Sequence, residues 1–288
     1  MSRSAVQEHA TTKLDERRAK GADWRRQVPL TAQAEWKPPA NRADPVEILV
    51  EQGKSRIQEL LPVRYARMKR DAFAFLRGAA AVMASDLAHQ PTAGASVQGC
   101  GDCHLMNFGA FATPEDNILF DINDFDETLP GVDFTVDLKR LVASVAVAAK
   151  AANLSNKRAR NLSASAAAAY REHMFDLMKL SPLEVWHRRI DLEQVLKLVE
   201  NPELRSNLSA LIARARASGL EKDDNFPHLV TGAQPKIADK PPTIFHFGRK
   251  ADPRHKIDAG RAFDLYRASL SPDRTGLLER HQLRDIAF

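Results

Sequence analysis

"GCGDCHLMNFG", residues 99–109, carries two patterns that ask for different proteins. Cys100-x-x-Cys103-His104 has the spacing of covalent haem attachment. Gly101-Asp102-x-His104-x-x-Asn107 sets a carboxylate and a carboxamide on one loop, the pair that phosphoryl transfer uses to orient a hydroxyl and to hold magnesium. The rest of the chain has to choose between them.

Haem attachment requires export, and the first thirty residues, "MSRSAVQEHATTKLDERRAKGADWRRQVPL", scatter charge throughout and contain no apolar run of signal-peptide length. No stretch approaches the roughly 18 to 20 apolar residues that span a bilayer. The expectation is a cytoplasmic protein with no membrane partner, in which both cysteines stay reduced. Zinc needs further ligands at matching spacing, and the histidines elsewhere form no such pair. Neither haem nor zinc is therefore expected, and Cys100 and Cys103 read as small buried residues or idle thiols.

The 288 residues are 44% hydrophobic and 27% charged, enough for one large or two modest soluble domains. The net charge of +5 is spread too thinly to indicate nucleic acid as a partner. Residues 1–44 are polar, include "WKPPANRADP", and read as a flexible N-terminal arm. The compact part is expected over 45–288. Ile48, Leu49, Ile57, Leu60 and Leu61 suggest a helix interrupted near Gly53 and ended by Pro62. In "DAFAFLRGAAAVMASDLAHQ" the helical spacing marks Phe75, Val82, Met83 and Leu87 as core contacts.

The period then changes. "ASVQG" before the opening stretch and "NILFDIND" after it are short, β-branched or aromatic, and bounded by Gly, Pro and Asn, so the stretch is a loop between strands. "PGVDFTVDLKRLVASVAVAAKAANLS" returns to helix with Leu138, Leu141, Val142, Val145 and Ala149 on one stripe. Asp137, Lys139 and Arg140 lie off that stripe and read as a solvated face. Further helices are expected at 155–180 and at 191–218, the second broken near Pro202. Residues 223–255 read as a long loop holding a short strand at "TIFHF". A last helix, "AGRAFDLYRASL", precedes a polar end.

Phosphoryl transfer needs one carboxylate to orient or deprotonate the attacking hydroxyl, and a second carboxylate plus an amide oxygen for magnesium, whose hard charge prefers oxygen. Asp102, Asn107 and the acids of "FDINDFDE" occur in that order. Asp121, Asp124 and Asp126 follow one another along and just past a strand that returns the chain to the loop.

"GDCHLMNFG" followed by "ILFDINDFDE" resembles the H-G-D-x-H-x-x-N and I-D-F/W motifs of aminoglycoside phosphotransferases and choline kinase-like proteins. More closely, "RMKRDAFAFLRGAAAVMASDL", "GDCHLMNFGAFATPE", "FDINDFDETLPG" and "DLKRLVASV" look like the bacterial family named domain of unknown function 2252, over roughly residues 45–285. The resemblance implies an α+β, protein-kinase-like fold: a mostly helical lobe with a short β-hairpin carrying the site. It implies Asp102 as catalytic base, Asn107 as a metal ligand, and Asp124 as the second metal ligand, with Asp121 the competing choice. His104 would fix the loop within the cofactor site, and Arg77 would contact phosphate or carboxylate there. The cofactors implied are Mg and ATP, and the partners a nucleotide and a small-molecule or protein acceptor.

The resemblance also has departures. Cys100 stands where the motif has its first His. No Gly-rich turn and no strand lysine precede the loop, and in the resembling family such a segment follows the equivalent of "LLERHQLRDIAF". The nucleotide-clamping lobe is therefore expected to be incomplete in this chain, truncated at its C-terminal end. The reading is a kinase-like phosphotransferase, with a non-catalytic, pseudokinase-like binding or regulatory domain as the alternative.

Overall fold

The computed structural model describes residues 3–113, 115–217, 228–230, 235–241, 244–246 and 259–287, with the side chains of 3–13 and 259 outside the description. The architecture is mixed α and β, with helices interrupted by small antiparallel sheets. It divides into two units, residues 1–113 with 117–200, and residues 201–288 with 114–116. Among the described residues no helix is long and apolar enough to cross a membrane.

The first unit opens with α1 (Arg3–Gln27), where a flexible arm was expected. Its Ala, Arg, Glu, Lys and Gln residues are strong helix formers, although they give it no apolar stripe. Trp24, near its end, lies against Gly94. The rest of the supposed arm is tied down as well: Gln33 donates to the Pro91 carbonyl at 2.9 Å, and the Arg42 fork grips Asp86 at 2.7 and 2.9 Å.

Asp44 caps α2 (Pro45–Gly53) by accepting from the Val46 N–H. Pro62 then stands at the start of α3 (Leu61–Met68) and does not end a helix, because a proline's missing N–H costs nothing in the first turn. Asp71 caps α4 (Ala72–Gly78), and Ala79 separates it from α5 (Ala80–Leu87). Leu49, Met68, Ala79 and Val82 form a buried cluster, with Ile48 and Tyr65 packed on it. Phe75, expected in the core, is exposed. Gly78 admits Met68, since a Cβ there would lie 2.6 Å from the thioether.

β1 (Ser96–Gly99) pairs antiparallel with β4 (Leu129–Asp133), and β2 (Phe108–Ala112) forms a hairpin with β3 (Ile118–Ile122). α6 (Thr135–Ala151) follows β4 directly and packs on α7 (Asn156–Leu177), where Phe134 stacks on Tyr170 and the buried alanines 149 and 159 contribute little side-chain bulk. α8 (Pro182–Trp186) and α9 (Leu192–Leu198) complete the unit. The Ile190 carbonyl accepts from Phe120 at 2.9 Å, joining the α9 entry to β3, whose Ile118 is wholly buried.

The second unit comprises α10 (Pro202–Ala217), the ladder of β5 (Leu229–Val230) with β6 (Lys236–Ile237), α11 (Ala259–Ser269) and α12 (Pro272–Leu278). The break expected near Pro202 falls between α9 and α10. Of the expected "TIFHF" strand, Thr243 and Phe247 lie outside the described residues, and Ile244 makes a single bridge to Lys240. His246 joins this unit's last residues to its ladder. Its Nδ1 lies 2.8 Å from Asp239 Oδ1, its Nε2 lies 2.9 Å from Asp285 Oδ2, and the same Asp285 oxygen accepts the Ile237 N–H at 2.7 Å.

Candidate functional site

The loop of residues 100–107 leaves β1, passes through a 3₁₀ turn at Leu105–Asn107, and enters β2. Its shape is set by α6. Residues 137, 140 and 144 share one face of that helix, and each takes hold of a different part of the loop. The Asp137 carboxylate accepts from the Cys100 N–H at 2.7 Å and the Gly101 N–H at 3.0 Å. Ser144 Oγ, fully buried, accepts from the Leu105 N–H at 3.1 Å and donates to the Leu141 carbonyl at 2.7 Å. Arg140, between them, donates from Nε to Asp102 Oδ1 and brings a terminal nitrogen into an ion pair with the same oxygen. Gly101 has φ +84°, and a Cβ there would sit 2.0 Å from the Glu127 carbonyl oxygen, so this position excludes every other residue.

Within the loop the hydrogen bonds fix which pole of each side chain is free. Asn107 Nδ2 donates to the Asp102 carbonyl at 2.8 Å. A carbonyl can only accept, so the amide nitrogen must face it and Oδ1 must face the other way. The Asn107 carbonyl in turn accepts from the Asn123 N–H at 2.9 Å, which holds the segment after β3 against the loop. His104 Nδ1 accepts from the Met106 N–H at 3.2 Å, placing the neutral ring's proton on Nε2, 3.6 Å from Asp102 Oδ2. Burial, reinforced by Arg140, lowers the His104 pKa and keeps the ring neutral.

Asp102 is 8% exposed and Arg140 2%. Burial pushes the Asp102 carboxyl up while Arg140 pulls it down, and the neighbouring charge of Asp124 adds to the rise. The net direction is upward. Burial also raises both thiols, Cys103 to about 12, and Cys100 donates to the Asp124 carbonyl at 3.5 Å. At neutral pH both are thiols, poor nucleophiles and poor metal ligands.

Asp102, His104 and Asn107 thus gather in the loop. Asp124 is exposed, and its Oδ1 accepts from the Asp126 N–H at 3.2 Å. Its charge bears on Asp102, Cys100, His104 and Glu127. Asp121 is exposed on β3 opposite Gly109, with Oδ1 accepting from the Ile122 N–H at 2.8 Å. Arg77 is exposed on the last turn of α4, and its charge bears on Asp102 and His104. Among the described residues no three His, Cys, Asp or Glu side chains gather closely enough to hold a metal by themselves.

Arg140 corrects the sequence reading most sharply, since a residue placed on a solvated face is nearly inaccessible. Asp137, read the same way, grips the loop, and Lys139 donates to Gln90 at 2.6 Å. Arg56 and Glu127, an ion pair at 3.7 Å, and Arg64, which donates to the Gly78 carbonyl at 2.7 Å, also belong to the neighbourhood. No periodic signal marked these residues.

A family described as "Uncharacterized protein conserved in bacteria", domain of unknown function 2252, matches residues 56–288. The chain belongs to this family. The match begins at Arg56, and every residue of the site, from the arginines of α3 and α4 to the gripping face of α6, lies within the matched segment. No curated protein matches the chain, and no solved structure does.

Proposed function

We propose that this member of the family is a kinase-like phosphotransferase that uses Mg-ATP, in the cytoplasm, on a small-molecule or protein acceptor. The observation that carries the reading is the orientation of Asn107. Its nitrogen is anchored on the Asp102 carbonyl, which leaves Oδ1 as an oxygen acceptor in a loop whose aspartate already feels the charge of Asp124. The donor set fits magnesium, which takes one or two protein oxygens and completes its shell with phosphate and water. Asn107 and Asp124 would hold it, since the charge of Asp124 bears on Asp102, with Asp121 the competing choice, and it would supply neutralisation of phosphate charge. His104 keeps its proton at Nε2, 3.6 Å from Asp102 Oδ2 and beyond hydrogen-bond length, so the carboxylate is held by Arg140. Asp102 orients the acceptor hydroxyl through Oδ2, the oxygen not taken by Arg140.

A second reading has its own support. Arg140 occupies one oxygen of Asp102 and leaves a single oxygen to meet an acceptor hydroxyl, an arrangement that suits a pseudokinase-like domain that binds nucleotide without turnover. Calorimetric titration of Mg-ATP into the full chain, paired with an ADP-formation assay, tests both. Magnesium-dependent binding with ATP consumption is expected, lost in Asp124→Ala and much reduced in Asp102→Ala. Binding without consumption selects the second reading. Equal metal and nucleotide affinity in Asp124→Ala and the parent chain overturns both.

A further inference from the structure

We infer that Arg56, Arg64 and Arg77 form a cradle for the di- or triphosphate group of a substrate, beside the loop of residues 100–107. The inference deepens the phosphotransferase reading by assigning the groups that take the phosphates, a role for which the sequence offered neither a Gly-rich turn nor a strand lysine before the loop.

The C-terminal turn of α4 organises the cradle. Its carbonyls accept from two guanidiniums, Leu76 from Arg140 at 2.8 Å and Gly78 from Arg64 at 2.7 Å. Arg77, between those carbonyls in sequence, points no hydrogen bond or ion pair at any of the described residues and is exposed. Arg140 is consumed by Asp102, but the other arginines are not. Arg64 makes the one hydrogen bond to Gly78, which leaves most of its fork unused. Arg56 reaches Glu127 only at 3.7 Å, beyond hydrogen-bond length, and its Nε is buried with no hydrogen-bond partner. Leaving a buried donor unpaired is costly.

The position is fixed by contacts on the page. The Glu127 carbonyl lies on Gly101, one residue from Asp102, so the Arg56–Glu127 pair borders the loop. Arg64 feels both the repulsion of Arg56 and the attraction of Glu127 and Asp102, which puts these groups in one electrostatic neighbourhood, and Arg77 acts on Asp102 as well. Guanidiniums with unused donor forks, Arg56 and Arg64 among them held near each other against their repulsion, match the multiply charged oxygens of linked phosphates. A single carboxylate would leave most of those donors unmet. Glu127 sets the other boundary: it balances Arg56 until a stronger anion arrives.

The test needs neither ATP nor metal. Inorganic pyrophosphate is titrated into the full chain in chelator at low salt, with ADP and glycerol phosphate as competitors. Saturable binding is expected, weakened about tenfold or more in Arg77→Gln and in Arg56→Gln, the loss that follows from removing a charge-assisted hydrogen bond. Arg77 makes no contact that folding needs, so a normal unfolding transition in Arg77→Gln keeps the result interpretable. Asp124→Asn is expected to bind pyrophosphate at least as tightly as the parent chain, because no metal takes part. Displacement by ADP assigns the cradle to the nucleotide, and displacement by glycerol phosphate alone, a single phosphate, overturns the inference. Unchanged affinity in both arginine variants, or no saturable binding by the parent chain, overturns the inference. Pyrophosphate binding without Mg-ATP turnover keeps the cradle and removes the reaction, whereas turnover unaffected by the arginine variants does the reverse.

Discussion

Asp102 meets Arg140 where both are buried, whereas Asp239 and Asp285 meet His246 in the second unit with all three side chains partly open to water. Arginine keeps its charge at every accessible pH, so the first network keeps its cation whatever the pH. Histidine changes charge near neutrality, so the second holds its geometry only within a window. The contrast teaches that the loop of residues 100–107 is built for constancy, and that any pH response of this chain should be sought in the second unit first.

The strongest way to break the contrast is to remove Arg140. Arg140→Ala leaves the Asp102 carboxylate buried and unpaired, an error that costs about 3–5 kcal/mol. Urea unfolding would show it as a lowered midpoint. Changing both partners, Arg140→Met with Asp102→Leu, should recover much of the loss, because two apolar groups carry no orphaned charge.

Gly101→Ala comes next. It forces a side chain into a backbone conformation with φ +84° and against the Glu127 carbonyl, and a cost of about 2 kcal/mol or more follows from the strain. Faster hydrogen exchange at the Leu105 amide would locate the damage in the loop.

Asp137→Asn sharpens the comparison with less disruption. The amide oxygen can still accept one of the two N–H groups of Cys100 and Gly101, and the other loses its acceptor, for about 1–2 kcal/mol. The same measurements apply.

The smallest effect concerns the His246 clasp. Hydrogen bonds to Asp285 and then Asp239 raise the His246 pKa above its ordinary 6.5, so the clasp's contribution is complete below that value and is lost as pH rises through the raised one. Asp285 is lowered from 3.8, chiefly by the Ile237 N–H and then by His246. Its contribution is present above 3.8 and is lost as pH falls through the lowered value. Ring-nitrogen NMR of His246 and exchange of the Ile237 amide should show both limbs. His246→Gln should remove the alkaline limb and leave the acid one.

The parts of the fold that were legible in the sequence follow from local rules. β1 and β3 are short β-branched or aromatic runs with turn residues at their ends, and Pro202 marks the start of α10. β4 was missed because its "PGVD" was taken into the helix that follows, its proline and glycine giving no strand signal, yet it holds a ladder with β1 at a bulged edge. The α1 helix was missed because helix propensity without an apolar stripe leaves no periodic mark. In the site, Asp102, His104 and Asn107 sit on one short loop and announce themselves by spacing. Arg140 and Asp137 reach that loop from α6, while Arg56, before α3, and Arg64, on α3, border it through Glu127 and the end of α4, and only the fold brings them there. Charge off an apolar stripe looks the same in sequence whether it meets water or a buried carboxylate.

The hold of α6 on the loop through Asp137, Arg140 and Ser144 means that residues 99–109 have no shape of their own to export. A chimaera that borrowed only those residues would inherit letters without geometry. The smallest transplantable piece runs from β1 through Ser144, hairpin and helix included, with the end of α4 supplied by the host.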